Sequence, residues 1–158
     1  MFISFLDLND FALRQPSKQG DKFVLMNKIV NEPSIILYYS NNCEYCPTIK
    51  AVFTSLAQKV RGCKVGLVHA DSNQPLIEAS HKTTTPINYV PLILFYHKGV
   101  PVKDYVGEYT EQSLIKFIQE CMDKFKVTDV EVSKFSIGKP KTKDVCYLSY
   151  EKAYNGKQ

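Results

Sequence analysis

The sequence predicts an α/β sandwich, a mixed sheet with helices on both faces, and three observations carry that class. A short, nearly unbroken apolar run, Ser34-Ile35-Ile36-Leu37-Tyr38-Tyr39, follows Pro33 and suits a strand buried on both sides. Two segments repeat apolar residues at helical rather than alternating spacing. Between and after them lie further short apolar runs bounded by Gly, Pro, Asn and Asp. Read in order, the pattern is β-α-β-α-β-β-α, which implies a parallel pair joined by a crossover and then an antiparallel hairpin.

Each element has its own signal. After the first run, Ile49, Val52, Phe53, Leu56 and Val60 form one stripe of a helix, which Arg61 and Gly62 end. Lys64 to His69 reads as the second strand, closed by Asp71-Ser72-Asn73, with a short helix from about Gln74 to His81. Leu92 to Tyr96 and Val102 to Val106 are strand candidates, and His97-Lys98-Gly99 is short enough to join them as a hairpin. Thr110 suits the N-cap of a last helix whose Leu114, Ile115, Ile118, Cys121, Met122 and Phe125 share a face. The best-marked part is thus residues 32–125. Residues 1–31 read as an extension packed on it, with strand candidates Phe2 to Leu6 and Phe23 to Met26. Residues 126–158 read as a strand-rich or interface tail carrying Tyr147, Tyr150 and Tyr154.

The totals narrow the function. With 158 residues and 44% hydrophobic content the chain holds one domain with a real core. No apolar run spans a bilayer, and the start lacks the basic region of a signal peptide, so a cytoplasmic setting without membrane partners is expected. A net charge of +4 is mild, and the one basic cluster, Lys139-Pro140-Lys141-Thr142-Lys143, reads as a solvated loop; nucleic acid is not an expected partner. Five cysteines exclude a fully paired disulfide scaffold and point to a reducing compartment.

Two of those cysteines stand in "SNNCEYCPTIKAVF", residues 40–53. Cys43 and Cys46 admit three readings: a redox pair, half of a metal site, or two small buried thiols. A structural zinc site needs a second Cys or His pair, and Cys63, Cys121, Cys146, His69, His81 and His97 all stand singly. Position favours redox chemistry. At or just before a helix N-terminus, free amides and the helix dipole stabilise a thiolate on an exposed Cys43. Cys46, one turn inward, can close a disulfide with it, and Pro47 fits the first turn. Cys63, Cys121 and Cys146 read as buried thiols, and His69 and His97 as satisfied or solvated.

The strand–CxxC–helix unit, the segment "HADSNQ", the segment "NYVPLILFYHKGVPVKDYVGEYT" and the closing helix together resemble the thioredoxin superfamily over about residues 33–124. The resemblance implies a thioredoxin-like three-layer sandwich with terminal extensions. It places a cis peptide bond before Pro91, opposite the cysteines, with the Val90 backbone pairing with a substrate strand. Gly107 falls where the family has a Gly after its last strand. The segments "FLDLNDFALRQP" and "VCYLSYEKAYNG" look like those of thioredoxin-like proteins of large DNA viruses, which implies a virion or host-cytoplasm setting.

Departures from the pattern are informative. Leu37 stands where thioredoxin carries a buried Asp that relays a proton for the second cysteine, and Asn42 stands where it has Trp. Glu44 and Tyr45 separate the cysteines, and an anion at Glu44 opposes a Cys43 thiolate, favouring a moderately reducing or isomerase-like pair over a strong oxidant. The function expected is thiol–disulfide oxidoreduction on protein substrates. Cys43 attacks, Cys46 resolves, Val90 and Pro91 shape the groove, and no cofactor is required. The rival is a thioredoxin-fold binding or structural module with little turnover, whose extensions mediate self-association or virion packing.

Overall fold

The computed structural model describes residues 3–16, 19–125, 135–140 and 143–148. Its centre is a five-stranded mixed sheet in the order β1 (Ser4–Leu6), β5 (Lys64–His69), β4 (Ser34–Tyr39), β7 (Leu92–His97), β8 (Val100–Asp104). β5 runs parallel to both β1 and β4, while β7 is antiparallel to β4 and β8. β4 is the most buried strand because it has neighbours on both edges and a packed layer on both faces; all six of its residues are buried.

One face carries Ile35, Leu37 and Tyr39, with Phe95 and Ile93 beside the first two on β7. Helices α1 (Cys46–Lys59) and α3 (Glu111–Phe125) cover it. Ile49, Phe53, Leu56 and Ala57 of α1 and Leu114, Ile118, Cys121 and Phe125 of α3 are buried, so both predicted stripes are the core-facing ones. Thr110 caps α3 by accepting the Ser113 N–H at 3.3 Å. Glu111 ties the helices together, taking a bond from Ser55 and a 2.6 Å ion pair from Lys59, and Lys59 first and Ser55 second lower its carboxyl pKa.

The other face carries Ile36 and Tyr38. Helices cover both faces in the simplest reading of the sequence, but here a hairpin of β2 (Phe11–Arg14) and β3 (Val24–Asn27) does much of the covering. Phe11 meets the Tyr38 ring, and buried Asn27 donates to Ser34 Oγ at 3.0 Å. The loop after the short helix α2 (Gln74–Ser80) reaches the same hairpin, its Thr84 N–H donating to Phe23. Tyr38 and Tyr96 share a buried hydroxyl–hydroxyl bond of 2.6 Å between the layers.

The β7–β8 turn is tighter than its three candidate residues implied. Lys98 and Gly99 alone make it, both at positive φ, so β8 begins at Val100 and ends at Asp104, short of the predicted Val106. Gly99 is required twice over: a methyl group there would lie 2.5 Å from the Asn27 carbonyl, which belongs to the hairpin below. Pro101 is tolerated because β8 is an edge strand. No helix among the described residues is long and apolar enough to cross a membrane.

In the C-terminal extension, β9 (Cys146–Tyr147) pairs antiparallel with β6 (Tyr89–Val90), away from the main sheet. Tyr150 and Tyr154 lie outside the described residues. Tyr147 leans edge-on against Tyr89 and stays 70% exposed, so it decorates the added strand rather than filling a core.

Candidate redox site

β4 ends at Tyr39, and the chain turns through Ser40, Asn41 and Asn42 before the cysteines. Asp71, just past the end of β5, organises that turn. It accepts from Ser40 Oγ at 2.8 and 2.9 Å and from the Asn41 N–H at 3.2 Å, while Ser40 Oγ accepts the Asn42 N–H. The Cys43 N–H donates to Ser40, and the Cys46 N–H to Cys43 at 3.2 Å, closing one turn that sets the two cysteines at the mouth of α1. The first helical residue is Cys46, so Cys43 sits a turn ahead of the helix rather than at its start. Pro47 occupies the first turn, where a missing N–H costs nothing.

Across from this turn the Val90–Pro91 peptide bond is cis, and Cys43 Sγ lies 3.6 Å from the Val90 carbonyl oxygen. β9 is laid on Val90 itself: Cys146 stands opposite Val90 and Tyr147 opposite Tyr89, and the Leu148 N–H donates to Asn88 at 2.8 Å. Cys43 and Cys146, 103 residues apart, are joined as a disulfide with their Cα atoms 5.7 Å apart, while Cys46 is a free thiol.

Three expectations are corrected here. Cys146 is a half-buried disulfide partner, not a free buried thiol. Cys43 is bonded to it and not to Cys46. Nor is Cys43 an exposed thiol: only 2% of it is accessible, because the tail strand that carries Cys146 lies over it. Cys63 and Cys121 are free and buried as expected, and burial first of all pushes their thiols up to about 12 and about 11.

Cys46 is 1% accessible. Burial is the main cause that raises its thiol pKa, and the Asp71 charge raises it further, while the Ser40 N–H, 3.5 Å from Sγ, pulls the other way. Leu37 is fully buried, flanked by Leu67 and Ile93. The acid whose charge acts on Cys46 is Asp71, which also holds the Ser40 turn. Sequence reading missed it because it stands two residues past a strand end, 25 positions from Cys46, where an Asp looks like a loop terminator. Tyr109 is a second missed neighbour. It lines the cavity beside Pro91 together with Tyr89 and Val145 and donates to the Asp144 carbonyl at 3.2 Å. Burial, then Asp144 and Cys46, push its hydroxyl up to about 12.

Glu44 is exposed, and its hydrogen bond and charge raise the pKa of the neighbouring Tyr45 hydroxyl. His69 faces Ser72 Oγ at 2.9 Å through Nδ1; its Nε2 lies 3.3 Å from Asp71 Oδ2, an ion-pair distance without hydrogen-bond geometry. Gly107 lines the cavity beside Pro91, and a side chain there would collide with Tyr105.

Comparison with known proteins agrees with this geometry. The thioredoxin family model matches residues 18–120. The uncharacterized protein 196R of invertebrate iridescent virus 6 is 41% identical over 98% of this chain and 95% of its own length. The uncharacterized protein 020R of invertebrate iridescent virus 3 is 34% identical, with 94% of each chain covered. Relatives in large DNA viruses thus support the resemblance drawn from the terminal segments. Among solved structures, the J-Trx1 fragment of ERdj5 superposes with a TM-score of 0.58 at 20% identity, over 81% of this chain and 53% of that one. Human ERp44 gives 0.57 at 13%, over 75% of this chain but only 29% of its own length. At those identities the likeness shows the fold, and with the family match it settles the classification: this chain belongs to the thioredoxin family.

Proposed function

We propose that the chain is a thiol–disulfide oxidoreductase that reduces or isomerises protein disulfides with Cys43 and Cys46. One observation carries this reading. Cys43 Sγ lies against the Val90 carbonyl, and an extended strand bearing a cysteine is paired with Val90 and disulfide-bonded to Cys43. That is the arrangement a mixed disulfide with a protein substrate requires.

The steps follow from thiol chemistry. The Cys43 thiolate attacks one sulfur of a substrate disulfide, forming a mixed disulfide, and the other substrate sulfur leaves as a thiolate. Cys46, deprotonated, then attacks Cys43 Sγ and releases the second substrate thiol. Two electrons have passed to the substrate, and a dithiol reductant must regenerate the pair. In isomerisation a substrate thiol resolves the intermediate instead, and no net electrons move. Val90 and Pro91 hold the substrate strand, and the anion at Glu44 favours a moderately reducing or isomerase-like pair over a strong oxidant.

The test follows insulin reduction by the reduced protein, with Cys146→Ser added so that the tail cannot compete. Turnover that is lost on Cys43→Ser supports the reading. The buried state of Cys43 favours one rival, a binding or structural module in which the disulfide is a permanent staple. Absence of turnover in Cys146→Ser would establish that rival. The viral relatives support a virion or host-cytoplasm setting, which fractionation of infected cells would test, and elution volume would test self-association.

A further inference from the structure

We propose that Cys146 is a third redox cysteine, carried on β9 as the chain's own substrate strand, so that the protein closes and reopens its own substrate groove by disulfide exchange. The proposal rests on the reading of Cys43 as the attacking thiol.

The placement is what argues for it. A disulfide that merely fastened a tail could join any two surface positions. This one uses the cysteine of the C-x-x-C pair that stands ahead of the helix, and it seats Cys146 opposite Val90, in register, on the backbone that flanks Pro91. The segment around it is also held as a ligand would be. Val145 lines one cavity with Tyr89, Pro91 and Tyr109, Tyr147 leans on Tyr89, and Tyr109 bonds the Asp144 carbonyl. Upstream, the Ile137 N–H donates to Thr84 at 3.0 Å, so the tail follows the loop that leads into β6. Meanwhile Cys46 remains a free thiol one turn from the bonded Cys43.

The exchange balances without an outside reagent. The Cys46 thiolate attacks Cys43 Sγ, the Cys43–Cys146 bond breaks, and the Cys43–Cys46 bond forms. The electron pair leaves on Cys146 Sγ, which takes up a proton equivalent to the one Cys46 lost. The oxidised chain therefore has two isomeric forms: a closed one, with β9 fastened in the groove, and an open one, with the tail free and the pair oxidised. The reverse attack, by Cys146 on Cys43, recloses it. In the reduced enzyme Cys146 can also attack Cys43 Sγ of a mixed disulfide, clearing a bound substrate when Cys46 does not. A tethered thiol acts at an effective concentration of roughly millimolar, far above a micromolar competitor.

The experiment uses full-length protein in four forms: wild type, Cys46→Ser, Cys146→Ser and the double variant Cys46→Ser with Cys146→Ser. Each is reduced, freed of reductant, mixed with insulin, quenched in acid, alkylated and resolved on non-reducing gels with disulfide mapping by mass spectrometry. Cys46→Ser alone should hold little adduct and end as Cys43–Cys146, whereas the double variant should accumulate roughly tenfold more adduct or greater. Equal adduct in those two overturns the proposal but leaves the redox reading intact. No adduct in the double variant overturns the redox reading itself, and the proposal with it. Should serine at position 146 loosen the tail, air-oxidised wild type decides alone: peptides for both Cys43–Cys146 and Cys43–Cys46 are expected. Alkylated Cys146 in every molecule, or no Cys43–Cys46 peptide at any pH, overturns the proposal.

Discussion

Residues 4–6 lie along the edge of the main sheet beside β5, whereas residues 146–147 lie across the cysteines on a two-residue strand of their own. The N-terminal addition is held by burial. Leu6 sits over Gly66, where an added methyl group would come within 2.9 Å of it, and Phe11 covers Tyr38. The C-terminal addition packs Phe135, Ile137, Val145 and Leu148 against the body, all only partly buried, and alone of the two it also carries a covalent link, Cys43–Cys146. Apolar burial cannot be reversed by a change of redox state, and a disulfide can. One extension adds a strand to the sheet, while the other is fastened in part by a bond that the proposed chemistry would exchange.

The comparison breaks most completely at Cys43. Cys43→Ser should reduce disulfide exchange to the uncatalysed background and also detach the tail, leaving the N-terminal extension untouched. Limited proteolysis would check it: new cleavage should appear within residues 143–148 and not in the β2–β3 hairpin. Next in size is the covalent link itself. Its two ends are 103 residues apart, and closing a loop that long stabilises by about 3–5 kcal/mol in the chain-entropy account. Wild-type denaturation midpoints should therefore fall on adding dithiothreitol, and Cys146→Ser should lie at the lower value with or without it.

A smaller loss is expected at the other end. Leu6→Ala removes a side chain that is 9% exposed, and should cost about 2–3 kcal/mol. The sharper statement is that this loss should be the same in oxidised and reduced protein. Denaturant melts in both states measure it, and a Leu6→Ala penalty that vanished on reduction would mean the two extensions are coupled.

How legible these regions were in the sequence follows the same division. β4, β5 and the core faces of α1 and α3 were readable because burial on a regular element imposes a period, and Ser34–Tyr39 and Lys64–His69 have the bounds that the apolar runs have. The β2–β3 hairpin was only half seen. Phe23 to Met26 is apolar, but Phe11–Arg14 is exposed on three of its four residues and carries no stripe. At the site, position predicted that Cys43 and Cys46 would share a turn, yet their bonding was not readable. A two-residue strand has no period, and nothing in "KDVCYL" says that it will pair with residues 89–90. Cys43 was expected to be exposed because a helix mouth usually is, but it is buried with Val90 on one side and bonded to the docked tail. Asp71 escaped for a similar reason, since it bonds the Ser40 turn from 31 positions along the chain.

The smallest expected effect lies at that acid, and its sign is informative. In the described state burial and Asp71 hold the Cys46 thiol above its ordinary pKa, so the attacking thiolate is scarce at neutral pH. Exchange through Cys46 should then rise with pH, about tenfold per unit, and continue rising past the ordinary thiol range. Of the other groups acting on Cys46, Tyr109 is neutral through that range, and the Ser40 N–H keeps its dipole at every pH. Asp71→Asn removes the charge while keeping an acceptor for Ser40 and the Asn41 N–H. If Asp71 acts only through its field, the substitution lowers the Cys46 pKa, and the pH–rate profile for conversion of Cys43–Cys146 to Cys43–Cys46 moves to lower pH, with faster exchange at pH 7. If Asp71 instead takes the proton from Cys46 by way of Ser40, the same substitution slows exchange at pH 7, and Ser40→Ala slows it equally. Acid-quenched alkylation across the pH range separates the two, because a field effect shifts the profile and a lost proton acceptor lowers it.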